Sequence, residues 1–232
     1  MRPQHSRRGS ALVAIVVGGL ALVAARRLTS DAQPVVQLPS PTLDHPLSAR
    51  KGEQTAVFAG GCFWGIQAVF GHLKGVTSTV AGYAGGTVAH PSYEQVSSGT
   101  TGHAESVKVT FDTSQISYGQ LLQVFFSVAH DPTELNRQGP DVGTQYRSII
   151  FYTTPDQQRI ARAYIDQLTA AKVFDRPIVT QLVPYRNFWP AEDYHQDYAE
   201  KNPDQPYIVI NDAPKVVHLE KAFPSLYRSA MH

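Results

Sequence analysis

The sequence predicts an α+β sandwich, and three observations carry that reading. Strand-like apolar runs and helix-periodic segments interleave along the chain. The connections between them vary greatly in length and carry many prolines and glycines, unlike the regular crossovers of a doubly wound parallel sheet. With the first 32 residues set aside, about 200 remain, enough for one domain with a sizeable core.

The elements follow in order. Ala56-Val57-Phe58-Ala59 centres a strand over residues 54–60, and Ile66-Gln67-Ala68-Val69-Phe70 lies in a helix over 63–72. Residues 75–83 read as a second strand, followed by a long glycine-containing loop to Gly102. Val107, Val109 and Phe111 alternate with Ser106, Lys108 and Thr110, which marks a half-buried strand. Tyr118, Leu121, Leu122, Phe125 and Ala129 share one helical face. Residues 145–152 read as a strand. Thr154-Pro155-Asp156-Gln157 then opens a helix with a cap, a first-turn proline and a capping-box glutamine, and Ile160, Tyr164 and Leu168 form its buried stripe. Residues 176–183 read as a further strand, residues 191–200 as a short helix, and the chain from Ala213 onward as irregular.

The first 32 residues do not belong to this fold. Arg2, Arg7 and Arg8 precede an uninterrupted run of apolar and glycine residues from Ala11 to Ala25, too short for a membrane span of about 20 residues and suited to a signal-peptide core. Ser30-Asp31-Ala32 offers small residues for cleavage, and Ser6-Arg7-Arg8 is like a twin-arginine signal. The alternative is an uncleaved membrane anchor stopped by Arg26 and Arg27. Either way an exported, periplasmic or otherwise extracytoplasmic domain is expected. Residues 33–52 hold four prolines and little periodicity, and are expected to be a linker to a catalytic domain over 53–232. The targeting segment takes five arginines and one aspartate out of 20 basic and 19 acidic side chains, which leaves 15 against 18, a formal charge of −3. No basic patch with interleaved aromatics follows, which argues against a nucleic-acid partner.

Cys62 is the one cysteine in the chain, so no internal disulfide can form. It stands in Gly60-Gly61-Cys62-Phe63-Trp64-Gly65, between a strand and a helix. That places its sulfur near the unpaired N–H groups of a helix start, where an anion is favoured, so the thiol is expected to ionise more readily than a free cysteine. Most lone cysteines are inert buried hydrophobes. The flanking glycines and two large aromatics at a helix start favour chemistry instead.

Glu105 is the most telling carboxylate. The alternation of the strand, carried back from Val107, puts it on the apolar face, where burial raises a carboxyl's pKa and keeps it available as a proton donor. At a strand end its head could equally reach water. Asp141, in Gly139-Pro140-Asp141-Val142-Gly143, would by itself be a turn aspartate, and Tyr93 and Tyr146 would be packing residues with a hydroxyl at the rim. His103, His130 and His195 make no metal-ligand spacing. The residues alone therefore reach a cysteine enzyme with a buried acid. An acyl hydrolase pairing Cys62 with His103 or His195 and a non-catalytic redox sensor stay open.

Several motifs are together familiar. Gly61-Cys62-Phe63-Trp64-Gly65, Gly82-Tyr83-Ala84-Gly85-Gly86, Gly102-His103-Ala104-Glu105, His130-Asp131-Pro132-Thr133, Gly143-Thr144-Gln145-Tyr146-Arg147-Ser148 and Phe188-Trp189-Pro190-Ala191-Glu192-Asp193-Tyr194-His195-Gln196 closely resemble the peptide methionine sulfoxide reductase A family, in its order, over roughly residues 55–203. The resemblance implies a two-layer α+β sandwich related to the ferredoxin-like fold, with a central mixed sheet and helices. It implies a thiol-dependent reductase for the S epimer of methionine sulfoxide, free or in oxidised proteins and peptides. Cys62 would be the nucleophile and Glu105 the acid. Tyr93 and Tyr146 would bond the sulfoxide oxygen, Asp141 would order the pocket, and Phe63 and Trp64 would receive the substrate's methyl group. No organic cofactor or metal is implied. Many members resolve the resulting sulfenic acid with a tail cysteine, and residues 213–232 have none. The expected partner is therefore an external reductant, thioredoxin-like or a low-molecular-weight thiol, acting on a monomer.

Overall fold

A six-stranded sheet is the frame of the domain, and a computed structural model describes residues 37–231. The export signal expected over residues 1–32 lies outside the described residues. The strands are β1 (Glu53–Ala59), β2 (Val76–Ala84), β3 (Ala104–Asp112), β6 (Ile149–Tyr152), β7 (Gln181–Pro184) and β8 (Phe188–Pro190), in the spatial order β7-β6-β1-β3-β2-β8. All pairings are antiparallel except β6 with β7, so the sheet is mixed and the fold is α+β. Arg137–Gln138 (β4) and Asp141–Val142 (β5) make a small separate hairpin.

The helices are α1 (Phe63–Gly71), α2 (Tyr93–Ser97), α3 (Tyr118–Val124), α4 (Pro155–Ala170), α5 (Tyr198–Lys201) and α6 (Ala213–Ala222). Along β1 the two-residue period sends Ala56 and Phe58 into the main core with α1, α3 and α4, while Val57 and Ala59 join a smaller core on the other face with Ala84, Ile149 and Phe151. Phe58 stacks on Phe70 and Phe125 at 4.9 Å each, which ties the central strand to two helices. Full burial of such a side chain contributes about 1.5–3 kcal/mol.

Several elements depart from the sequence reading, each for a local reason. The loop before Gly102 contains α2, opened by a reciprocal capping box between Ser92 and Gln95. The helix from Tyr118 widens into a π-helical turn at Phe125–Ala129. The expected strand over 145–152 begins only at Ile149, because Gly143, at φ 142°, starts a 3-10 turn over Thr144–Tyr146. Pro177 interrupts the predicted strand over 176–183, of which Gln181 onward pairs. Residues 191–200 form two short turns, split at Asp197, where φ is 54°. Gln157 does not complete a capping box: its side chain accepts from Thr153 N–H and donates to the Thr55 carbonyl, locking α4 onto β1. The tail predicted as irregular is a helix, and a π-helical turn at Ile208–Asp212 runs into α6.

Residues 37–52 have no helix or strand, yet they are seated on the domain. Leu38 is buried, and its carbonyl accepts from Gln123 at 2.6 Å. Tyr164 donates to the Pro39 carbonyl at 2.8 Å, and the Asp44 carboxylate accepts from the Ser117 hydroxyl and the Gly119 N–H at the start of α3. Replacing Asp44 by Ala removes this added cap and is expected to cost about 1 kcal/mol of unfolding free energy in urea titrations. No change in the midpoint would show that the Asp44 cap contributes nothing to the stability of the fold.

Candidate active site

Cys62 caps the N-terminus of α1, as the strand-to-helix order required, and is 7% exposed. Gly61, at φ +100°, makes the turn possible, and a Cβ there would stand 2.5 Å from the Gln138 side chain. The Cys62 side chain makes no cap hydrogen bond, although the nearby Trp64 backbone N–H favours a negative sulfur. The thiol nevertheless does not ionise more readily than a free cysteine. Burial, then the carboxylates of Glu105 and Asp212, hold its pKa well above the ordinary value, and the helix N–H and Lys215 compensate only in part. The sequence reading weighed the helix start and could not weigh the loss of water around the sulfur.

Glu105 comes from β3 and is 2% exposed, in the core rather than in water. Its Oε2 accepts from the Phe63 N–H at 3.0 Å, so the acid and the cysteine meet across the first residue of α1. Burial pushes the carboxyl up to about 8, with the negative charges of Asp141 and Asp212 adding to the effect and the Phe63 hydrogen bond opposing it. At neutral pH the resting pair is therefore a neutral thiol beside a neutral acid.

The seven residues singled out in the sequence line one cavity of about 240 Å³: Cys62, Phe63, Trp64, Tyr93, Glu105, Asp141 and Tyr146. Larger hollows beside the end of α4 and beside Gly85 do not include Cys62. Tyr93 opens α2, and its N–H is held by Glu192, which also accepts from Tyr83 at 2.8 Å. Tyr146 sits in the 3-10 turn that Gln145 fastens to the Ser97 carbonyl at 3.1 Å. Burial raises the pKa of both tyrosines first, and the nearby charge of Glu105 adds to it, so both hydroxyls remain protonated donors. Trp64 is held in place by a 3.9 Å stack on Tyr198 and by a 3.1 Å hydrogen bond from Nε1 to His195 Nδ1.

Other contributors were missed. Gln205 and Tyr207 also line the cavity, and Tyr207 donates its hydroxyl to Asp141, which fixes that carboxylate at the rim. Asp212 is fully buried against Gly65, with Lys215 at 3.1 Å. Of these, only Lys215 falls in the segment from Ala213 that read as irregular; Gln205, Tyr207 and Asp212 lie just before it. The pattern Tyr207, Asn211, Lys215 was the available signal, masked by the turn-like Asn211-Asp212-Ala213-Pro214.

The histidines do not support an acyl hydrolase. His103 uses both ring nitrogens on the backbone, at Gly86 and Val88, and His195 Nδ1 accepts from Trp64. Neither is a base for Cys62. Among the described residues, no group of three or more His, Cys, Asp or Glu side chains could hold a metal ion.

A recessed cysteine beside a protonated acid, in an aromatic cavity on a mixed α+β sheet, defines a cysteine oxidoreductase rather than a hydrolase. The peptide methionine sulfoxide reductase family model matches residues 54–226, and the chain belongs to that family. It is similar to the peptide methionine sulfoxide reductase MsrA 2 of Mesorhizobium japonicum, 58% identical over 77% of this chain and 92% of the relative. A protein of the same name from Synechocystis is 50% identical over 85% of this chain and 92% of that one. Among solved structures, methionine sulfoxide reductase A of Corynebacterium diphtheriae superposes with a TM-score of 0.57 at 35% identity, over 73% of this chain and 85% of that chain. Reduced Mxr1 of Saccharomyces cerevisiae gives 0.59 at 31% identity, over 70% and 92%.

The buried acid has a signature in stability. Between the carboxyl's ordinary 4.5 and about 8, the folded protein holds a proton on Glu105 that the unfolded chain has lost. Stability therefore falls as pH rises through that window, by roughly 1.4 kcal/mol per unit at most, and levels off above it. Glu105→Gln is expected to remove this fall, measured as unfolding free energy from pH 5 to pH 9. An unchanged slope would mean that Glu105 is ionised in the fold.

Proposed function

We propose that the chain reduces the S epimer of methionine sulfoxide, free or in oxidised proteins, to methionine at the expense of external thiols. The observation that carries this reading is the single cavity in which a nucleophile, a proton donor, two hydroxyl donors and two aromatic walls converge.

Each group answers a need of the reaction. A sulfoxide oxygen leaves sulfur only when it is protonated, and Glu105, raised to about 8, carries a proton at neutral pH. A positioned acid of this kind contributes typically about 10²–10⁴-fold. Tyr93 and Tyr146 steady the charge that shifts on the oxygen. Phe63 and Trp64 take up the S-methyl group, and Asp141, held by Tyr207, orders the polar side. The Cys62 sulfur attacks the sulfoxide sulfur, its own proton and that of Glu105 going toward the oxygen. The sulfur–oxygen bond breaks and the oxygen leaves as water. A water oxygen, giving a proton to Glu105, then attacks the Cys62 sulfur, the new sulfur–sulfur bond breaks, methionine departs as the thioether, and Cys62 is left as a sulfenic acid. The glutamate recovers its proton from the exchange. A first external thiol then forms a mixed disulfide with Cys62 and releases water, and a second frees the cysteine as the outside disulfide forms.

A thioredoxin-like protein or a small thiol would serve as donor, and the chain would work as a monomer. The activity is placed outside the cytoplasm on the strength of the basic start and apolar run in residues 1–32.

The test uses peptides carrying each sulfoxide epimer, with excess dithiothreitol. Multiple turnovers on the S epimer alone are expected, with none in Cys62→Ser. Glu105→Gln should slow single-turnover methionine formation by about 10²-fold or more. Turnover on the R epimer, or a wild-type rate in Glu105→Gln, would contradict the assignment.

A further inference from the structure

A second hollow, of about 210 Å³, also reaches Cys62. It shares Cys62, Asp141 and Tyr207 with the aromatic cavity, so the hydrogen bond between Tyr207 and Asp141 forms part of the wall between the two. Its remaining lining is of another kind. Gln138 and its neighbours in the β4–β5 hairpin supply one side, and the tail helix supplies the other through Ile210, Asn211 and Lys215. Tyr207, Asn211 and Lys215 stand four residues apart, one helical face turned toward the sulfur. The π-helical turn at Ile208–Asp212 lies within this face, and such turns recur at functional sites.

The charges are divided between inside and out. Asp212 is fully buried, with Oδ2 lacking a hydrogen-bond partner, whereas its ion-pair partner Lys215 presents its side chain to the hollow. Asp141 also touches the hollow, but its carboxylate already accepts from Tyr207. Lys215 is thus the cation beside the sulfur, and its charge offsets part of the rise that burial, Glu105 and Asp212 impose on the thiol.

We propose that this second hollow is the access route of the reducing thiol, which meets oxidised Cys62 as a thiolate beside Lys215 while the aromatic cavity serves the sulfoxide. The inference rests on the reductase reading given above. Three observations support it. The chain has no second cysteine, so a reductant must come to a sulfur that is only 7% exposed. Displacement at the sulfenic sulfur needs a nucleophile opposite the departing oxygen, and in the reductase reading that oxygen is left beside Glu105, which lines the aromatic cavity and not the second hollow. The hollow admits a small thiol or one cysteine side chain, but no folded domain. The incoming thiolate forms a sulfur–sulfur bond with Cys62, and the oxygen leaves as water after protonation from Glu105. A second equivalent of thiol attacks the outer sulfur and returns Cys62 to the thiol.

The test separates the two half-reactions in the full chain. Cys62 is oxidised with one equivalent of S-sulfoxide peptide, methionine is counted per chain, and disappearance of the sulfenic acid is then followed with mercaptoethanol and, separately, with a thioredoxin-type dithiol protein. Ile210, 70% exposed at the rim, can be enlarged without disturbing the core. Ile210→Trp is expected to give one methionine per chain at the wild-type rate. Its thiol step should slow by about tenfold or more, as should that of Lys215→Met, with recovery in Lys215→Arg. Slowing with both reductants assigns the route to thiols in general, and slowing with the protein alone assigns it to a protein cysteine. A thiol step unchanged in Ile210→Trp with both reductants, or one strictly competed by saturating methionine, would overturn the proposal. Absence of the methionine burst in wild type would remove the reductase reading and this route with it.

Discussion

One hydrogen bond organises the site: the Phe63 N–H, the first donor of α1, is spent on Glu105. A buried carboxyl needs a partner, and a helix start has donors to give. By accepting this one, Glu105 brings β3 against the start of α1 and stands beside the sulfur that caps the same helix. Both groups resist ionisation because burial strips them of water, and the charge of Glu105 adds to the resistance of the cysteine. The rest of the site is built around that neutral pair, with hydroxyl donors and aromatic rings lining the same cavity, and the ion pair of buried Asp212 with Lys215 beside the first turn of the helix.

Such an arrangement stores charge chemistry until a ligand arrives. A free thiolate would meet oxidants and other thiols without discrimination. A protonated thiol in a recess, next to a protonated acid, is quiet until a group that needs both a nucleophile and a proton takes its place in the cavity. In the proposed reaction Cys62 and Glu105 would act as a unit, and the helix-start position of Cys62 serves geometry more than acidity.

What could be read from the sequence was whatever rests on local pattern. The apolar run ending in two glycines located the β1–α1 junction, and strict alternation from Val107 to Phe111 carried Glu105 inward. A threonine cap and Pro155 opened α4 at the right residue. What escaped depended on partners distant in the chain. β8 is three residues long and is a strand only because β2 lies beside it. The tail helix begins after Pro206 and carries Pro214 in its first regular turn, so its residues read as turn formers. Tyr207 gained significance only when the fold laid it against Asp141, 66 positions earlier. The acidity of the thiol was misjudged for the same reason, since desolvation is a property of the assembled cavity.

The contact between Gly65 and Asp212 has an evolutionary corollary. A Cβ at position 65 would stand 2.1 Å from the Asp212 carboxylate, which is fully buried and paired with Lys215. The two positions are thus a single inherited choice: a lineage that acquires alanine at one must first shorten or lose the acid at the other. Aligned relatives should show the pair changing together, and the order of substitution along a branch should run from the tail to the helix.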